Sequence, residues 1–326
     1  MSTPPVLLGI DLGGTKIEII AMDHNGQTLY RKRCDTPKHP NPAQQYTLII
    51  EQIQQLVTDC ESNIHRHHSP VGIGIPGSES LTTGLIKNAN TTCLIGKPFR
   101  QDLARQLDRP VKIENDANCF ALSEAMDGAG TNHNSVFAVI LGTGVGGGWV
   151  INQQLIIGPN HICGEWGHNP LPWPNSDDEP KQTCYCGKQG CIETYLSGPG
   201  MSKQNALQFN LNLSSKAVIS QRHSNHDAQK AYQQYTLRLA KSLASVINVM
   251  DPEVIVLGGG LSNIESLYED IPAIWGEYVF SDNVKTKIVK NQYGDSSGVR
   301  GAAWLNKQQT IKNQQTPLNM PPPATK

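Results

Sequence analysis

Two stretches of the chain share one hydrophobic plan. "VLLGIDLGGTKIEIIAMDHNGQTLYRKRC" (6–34) runs as an apolar segment, a break at Gly13-Gly14, a β-branched segment, a "DHNG" turn and a third segment. That order predicts three strands, the last two joined by a hairpin turn. Near position 136, "VFAVILGTGVGGGWVINQQLIIG" repeats it, with a Gly/Thr break and a polar "NQQ" turn. A strand–glycine turn–strand unit recurring after about 130 residues predicts duplicated α/β lobes.

Between the units, "NPAQQYTLIIEQIQQLVTDCESNI" (41–64) has helical periodicity, and "SPVGIGIPGS" (69–78) reads as a buried strand ending in a Pro-Gly turn. "FRQDLARQLDRP" (99–110) predicts a helix stopped by Pro110; "VKIEND" predicts a short strand leading into the helix "ANCFALSEAMDGAG". Further on, "DAQKAYQQYTLRLAKSLASVINVMDP" (227–252) predicts a long amphipathic helix capped by Asp227 and ended before Pro252. "EVIVLGGGLSN" predicts a strand running into three glycines, "SSGVRGAAWLNKQ" a final helix, and "QTPLNMPPPATK" a disordered tail. The stretch "LPWPNSDDEPKQTCYCGKQGC" (171–191) reads as a long Pro- and Asp-rich loop, and a loop of that length needs an anchor.

Composition narrows the class. At 326 residues, two lobes are the default. Charged residues make up 17% and net to -1, which leaves no electrostatic footprint for nucleic acid. The start, "MSTPPVLLGIDLGG", has no charged n-region and no long apolar stretch, and no run reaches the length of a membrane helix. A cytoplasmic enzyme or binding protein is the expected class. Of eight cysteines, Cys34, Cys60, Cys93, Cys119 and Cys163 are scattered and read as small buried hydrophobes, while Cys184, Cys186 and Cys191 cluster.

The glycine-rich turns supply the first candidate chemistry. In the first, "DLGGTK", glycines between two strands let backbone N–H groups approach a phosphate, although a plain hairpin turn fits the same residues. "LGTGVGGG" (141–148) and "LGGG" (257–260) each also follow an apolar strand, and three such turns fit a nucleotide held between two lobes. Asp11 is then placed to face Mg²⁺, with Thr15, Lys16 and Thr143 as donors to phosphates.

Taken together, "GIDLGGTK", "GIGIPG", "ENDAN", "LGTGVGGG", "GEWGH" and "CYCGKQGCIE" resemble the motifs of the ROK family (repressor, open reading frame, kinase) over about residues 7–305. The resemblance implies the two-lobed actin-like, ribonuclease-H-like ATPase fold, with duplicated βββαβαβα lobes and a cleft between them. The expected lobes are 1–116 plus about 301–326, and 117–300. Within the family, "GEWGHNPLPW", "CYCGKQGCIET" and "GDSSGVRGAAW" look most like bacterial fructokinases that also accept mannose. Only about six residues precede the first strand, where the family's repressors carry a helix-turn-helix, so the kinase branch is favoured. The implied nucleotide contacts are Gly9, Ile10, Asp11, Leu12, Gly13, Gly14, Thr15 and Lys16; Leu141, Gly142, Thr143, Gly144, Val145, Gly146, Gly147 and Gly148; and Gly258, Gly259 and Gly260. The implied acceptor is fructose, phosphorylated at its 6-hydroxyl, with ATP as donor and a homodimer as the common assembly. Kinases for N-acetylglucosamine, N-acetylmannosamine or glucose share the general motifs, and a non-catalytic sugar sensor is the alternative of another class.

"ENDAN" follows a strand, so its polar residues emerge where open α/β sheets place ligands. Phosphoryl transfer to an alcohol needs a carboxylate near the attacking hydroxyl. By resemblance Asp116 is that base and Asn115 binds sugar; an Asp N-cap of the following helix fits as well. The resemblance also assigns Glu165, His168 and Glu193 to sugar hydroxyls. Asn90, in "KNANTT", and "GIPGS" are expected beside them, and there a turn and a capped strand fit equally well.

Cys184, Cys186 and Cys191 with His168 make a Cys₃His set that matches a tetrahedral structural zinc site, against a redox pair or free thiols. With all four positions filled by protein, the metal is expected to anchor the long loop and to fix His168 and Glu193 rather than to act in catalysis.

Overall fold

The computed structural model describes residues 6–308. The first half runs β1 (Leu7–Leu12), β2 (Lys16–Met22), β3 (Thr28–Asp35), α1 (Pro42–Ile64), β4 (Val71–Ile75), a small hairpin of β5 (Ser78–Glu79) and β6 (Ile86–Lys87), α2 (Phe99–Leu107), β7 (Val111–Asn115) and α3 (Asp116–Met126). The second half runs β8 (Ser135–Leu141), β9 (Val145–Ile151), β10 (Gln154–Ile156), then α4 (Glu193–Leu196), α5 (Gly198–Phe209), α6 (Ser215–Gln221) and α7 (His226–Met250), followed by β11 (Val254–Gly258), α8 (Leu267–Trp275), β12 (Lys287–Lys290) and α9 (Ser297–Trp304).

The two main sheets are the same object built twice. Their orders are β3-β2-β1-β4-β7 and β10-β9-β8-β11-β12. In each, three antiparallel strands are followed by two parallel ones. Omitting the small hairpin and the α4–α6 insertion, each half is βββαβαβα, the duplicated two-lobed α/β architecture that the repeated glycine units predict.

The helices that end each half change sides. α3 follows the first sheet but packs on β8 and β9 of the second, while α9 follows the second sheet and packs on β1 and β4 of the first. Leu7, Ile20, Phe120, Leu122, Val136, Val256, Val299 and Trp304 form one apolar cluster across this crossing. The helices approach so closely that a Cβ on Gly301 would stand 1.7 Å from the Cys119 carbonyl oxygen. Only glycine fits there. The crossing brings the N-terminus of α3 to the junction of the two sheets.

Several expected boundaries shift. The long helix is capped by Asn225, whose side chain accepts from the Asp227 and Ala228 N–H groups, so Asp227 lies inside its first turn. Both residues are good caps, and the sequence does not rank them. α2 ends at Leu107, before Pro110, because Asp108 takes a left-handed conformation (φ 52°). The strand expected over 69–78 covers only Val71–Ile75, after which Pro76 and Gly77 turn the chain away. The "NQQ" turn carries positive φ at both Asn152 and Gln153, as a tight hairpin requires.

The long loop has more structure of its own than expected. Ser176–Asp178 form a 3₁₀ turn closed by a capping box between Asn175 and Asp178. Asp178 pairs with Arg238 of α7 at 2.7 Å, both side chains buried, and Lys241 Nζ donates to the Trp173 carbonyl at 2.8 Å. Protein groups alone therefore anchor the first part of the loop. The segments α4, α5, α6, α8 and β12 have no counterpart among the sequence-based expectations, and the predicted disordered tail lies outside the described residues. Among the described residues, no helix is long and apolar enough to cross a membrane.

Candidate active site

The site gathers where β1, β4, β7, β8 and β11 end. Asn115 is the N-cap of α3, its Oδ1 accepting from the Ala117 N–H at 2.9 Å while its Nδ2 donates to the Gly77 carbonyl at 3.2 Å. Asp116 is thus the first residue of the helix rather than its cap, and its own Oδ1 also accepts from the Ala117 N–H at 2.9 Å. The helix terminus aims this carboxylate outward and favours its charge. Burial nonetheless raises its pKa to about 6, with the Glu165 charge adding to the shift. Asp11 is raised to about 7, first by burial and then by Asp116 and Glu18. The four acids Asp11, Glu18, Asp116 and Glu165 act on one another in this way, which makes the corner receptive to protons and cations.

The first glycine turn is set by the Gly13 N–H donating to the Lys16 carbonyl at 2.9 Å, and Thr36 Oγ1 donates to the Gly13 carbonyl at 2.8 Å. Gly14, Thr15 and Lys16 are exposed at its tip. Ile10 and Leu12, by contrast, are fully buried in the first lobe, and Gly9 lies under α9. The second turn divides in the same way: Thr143 is exposed, Gly142 and Gly144 flank it, and Leu141 and Val145 point into the core. Gly147 packs against Phe137 and Trp166, and Gly148 against α3. Gly146 offers its carbonyl to Trp166 Nε1 at 3.0 Å. Gly258 is buried against Phe120, whereas Gly259 and Gly260 are exposed. The buried strand residues of each motif shape the turns, and the exposed turn residues are the parts a ligand can reach.

"GEWGH" is folded onto the second turn. A Cβ on Gly167 would sit 2.2 Å from the Val145 carbonyl oxygen, so glycine is required for the approach. That contact sets Glu165, which is exposed, and His168, which is half-buried. Glu193 opens α4, and its Oε2 accepts from the Val145 N–H at 2.9 Å. Asn90 is exposed, with its N–H donating to the Pro76 carbonyl at 3.0 Å, one link from Asn115 through the 76–77 turn.

His168, Cys184, Cys186 and Cys191 offer four ligand atoms that all lie within 4.8 Å of one another. Cys186 Sγ and Cys191 Sγ are 3.7 Å apart, and Cys184 Sγ is 3.5 Å from His168 Nδ1. A tetrahedron with Zn–S bonds of about 2.3 Å has edges of about 3.8 Å, close to the spacing of these donors, so the set fits that ion.

The sequence pattern of the ROK family matches residues 7–309. The chain belongs to the ROK family. Among its relatives, an N-acetyl-D-glucosamine kinase of Yersinia pseudotuberculosis is 38% identical over 303 residues, spanning 91% of this chain and 98% of that protein. The crystal structure of a ROK hexokinase from Thermus thermophilus superposes with a TM-score of 0.81 at 26% identity, covering 93% of this chain and 99% of that one. A ROK family glucokinase from Streptomyces griseus, in complex with glucose and AMPPNP, gives 0.70 at 26% identity, covering 92% and 98%. The fold is therefore the actin-like, two-lobed fold of ROK proteins.

Three features of this ROK site escaped the sequence reading. Gly298, at the start of α9, faces Asp11, a Cβ there falling 3.2 Å from Asp11 Oδ2. Glu114 accepts from Asn118 Nδ2 at 3.0 Å and from the Asn115 N–H at 2.8 Å, supporting the Asn115–Asp116 corner from behind. Tyr185 donates to or accepts from His168 Nε2 at 2.9 Å. Only Tyr185 had a local signal, being an aromatic residue between two proposed ligands.

Proposed function

We propose that the chain transfers the γ-phosphoryl group of ATP to the 6-hydroxyl of a hexose. The observation that carries this is the placement of Asp116, a carboxylate on a helix N-terminus, beside Asp11 and Glu165 and next to the second glycine turn. Asp116 takes the proton of the attacking hydroxyl, which needs a base of matched pKa within reach. Asn115, Glu165, His168, Glu193 and Asn90 orient the sugar, whose hydroxyls each donate one bond and accept others. The backbones at 13–16, 142–144 and 259–260 are the phosphate and nucleoside contacts, and positioning plus electrostatics carries most of phosphoryl-transfer catalysis.

The acid-rich corner around Asp11 fits Mg²⁺, which supplies charge neutralisation to the phosphates when bound. The Cys₃His set fits zinc as a structural ion. Residues 6–116 with about 301–308 form one proposed lobe and 117–300 the other; the ends of the expected first lobe, 1–5 and 309–326, lie outside the described residues. The packing of α9 on β1 and β4 supports joining the C-terminal segment to the first.

The kinase relatives favour N-acetylglucosamine as the acceptor over fructose. Fructose is the second reading, carried by "GEWGHNPLPW" and "CYCGKQGCIET". A coupled ADP-release assay over fructose, mannose, glucose, N-acetylglucosamine and N-acetylmannosamine ranks them by kcat/KM. Release that does not depend on any hexose would remove the kinase reading.

A further inference from the structure

Tyr185 stands between Cys184 and Cys186 with 82% of its surface exposed, yet its hydroxyl is fixed in the site. It is hydrogen-bonded to His168 Nε2 at 2.9 Å, and the two rings meet edge-on, 5.0 Å between centroids at 87°. The other imidazole nitrogen, Nδ1, faces Cys184 Sγ at 3.5 Å. The two nitrogens therefore have separate duties. Nδ1 serves the thiol cluster, and Nε2 is the only ring atom left for a sugar hydroxyl. Glu165 Oε2 lies 3.9 Å from the same Nε2, so this nitrogen points into the proposed acceptor site.

A ring nitrogen carries either one N–H or one lone pair, and so holds one hydrogen bond. We infer that the Tyr185 hydroxyl and a hydroxyl of the acceptor hexose compete for His168 Nε2, which makes Tyr185 a positioning residue that sets acceptor affinity. The inference rests on the sugar-kinase reading of this site. Before the acceptor arrives, Tyr185 occupies the Nε2 position of an imidazole whose orientation is set by the Cys184 side at Nδ1. When the sugar takes Nε2, the Tyr185 hydroxyl returns to water, which its exposed ring allows without burying an unpaired donor. Acceptor binding is then weaker by the net worth of the internal hydrogen bond it breaks.

The test is Tyr185→Phe, which keeps the ring and removes only the competitor. Titration calorimetry of the zinc-loaded full chain should give a hexose Kd lower than that of the unaltered protein by about two- to tenfold, the range of one net hydrogen bond. The nucleotide Kd should not change. Structural damage would weaken binding, so a gain in affinity separates competition from a packing role. In the unaltered protein, the His168 Nε2 resonance in ¹⁵N NMR should shift on hexose addition. In the sugar-free state, it should differ between the unaltered protein and the variant. Equal or weaker hexose binding by Tyr185→Phe overturns the inference and leaves the kinase reading standing. An unaltered protein that binds nucleotide but no hexose of the panel overturns the kinase reading and the inference with it.

Discussion

The Glu193 carboxylate accepts a hydrogen bond from the Val145 N–H at 2.9 Å, so the residue two places after Cys191 is tied to the second glycine turn. The proposed sugar contacts and the proposed phosphate contacts are thus one mechanical unit. Glu193→Ala should weaken hexose and nucleotide binding together, each by about tenfold, the order expected for one hydrogen bond to a charged group. Glu165→Ala, which has no such tie, should weaken hexose alone. Separate calorimetric titrations of the two ligands check both, and a Glu193→Ala protein with unchanged nucleotide affinity would disprove the coupling.

Asp116→Asn keeps an oxygen to accept from Ala117, so the helix start should survive. Turnover should fall by about two to four orders of magnitude, the usual worth of a general base, with hexose Kd nearly unchanged. Comparable turnover in the variant would remove Asp116 from the chemistry.

The raised pKa of Asp116, about 6, sets a pH dependence. A base must be ionised to accept a proton, so kcat/KM should rise with pH through about 6 and level off above it. The charge of Glu165 contributes to the shift, so Glu165→Gln should move that limb to lower pH. The same shift acts on stability. The folded-state pKa lies above the ordinary aspartate value of 3.8, so the folded protein holds its proton more tightly than the unfolded chain does. The stability of the metal-free protein relative to Asp116→Asn should be greatest below pH 3.8 and decline as the pH rises through about 6. Denaturant titrations of the two proteins across that window measure the difference.

The repeated glycine units made the duplicated sheets legible, because strand and turn chemistry are local and recur at both places. The motif residues were legible for the same reason, and the structure gathers Asn115, Asp116, Glu165, His168 and Glu193 into one corner. Which residues of a motif are exposed was not legible: Ile10 and Leu12 read like the turn that follows them, and only packing sends them into the core. The α3–α9 exchange was hidden as well, since Gly301 is required by a helix about 180 residues away in the chain. The Asp178–Arg238 pair is of the same kind, for neither residue has a sequence neighbour that announces the other.

That pair changes what metal removal should do. A Cys₃His zinc site in peptides carries roughly 10–16 kcal/mol of apparent binding energy, comparable to a whole domain's net stability. Here the 173–178 part of the loop is already held by Arg238 and Lys241, independently of the thiols. Chelation, or Cys186→Ser, should therefore loosen residues 184–193 and leave 173–178 protected. Hydrogen exchange on purified protein, with zinc measured by elemental analysis at about one ion per chain, reads this directly. Arg238→Met should do the converse, costing about 3–5 kcal/mol by leaving Asp178 buried without its partner and exposing 173–178 to exchange while zinc stays bound. Hexose affinity should fall on chelation, because His168 supplies Nδ1 to the cluster and loses its fixed orientation. If the protein contains no zinc as purified and binds hexose equally well after chelation, the metal has no part in the site.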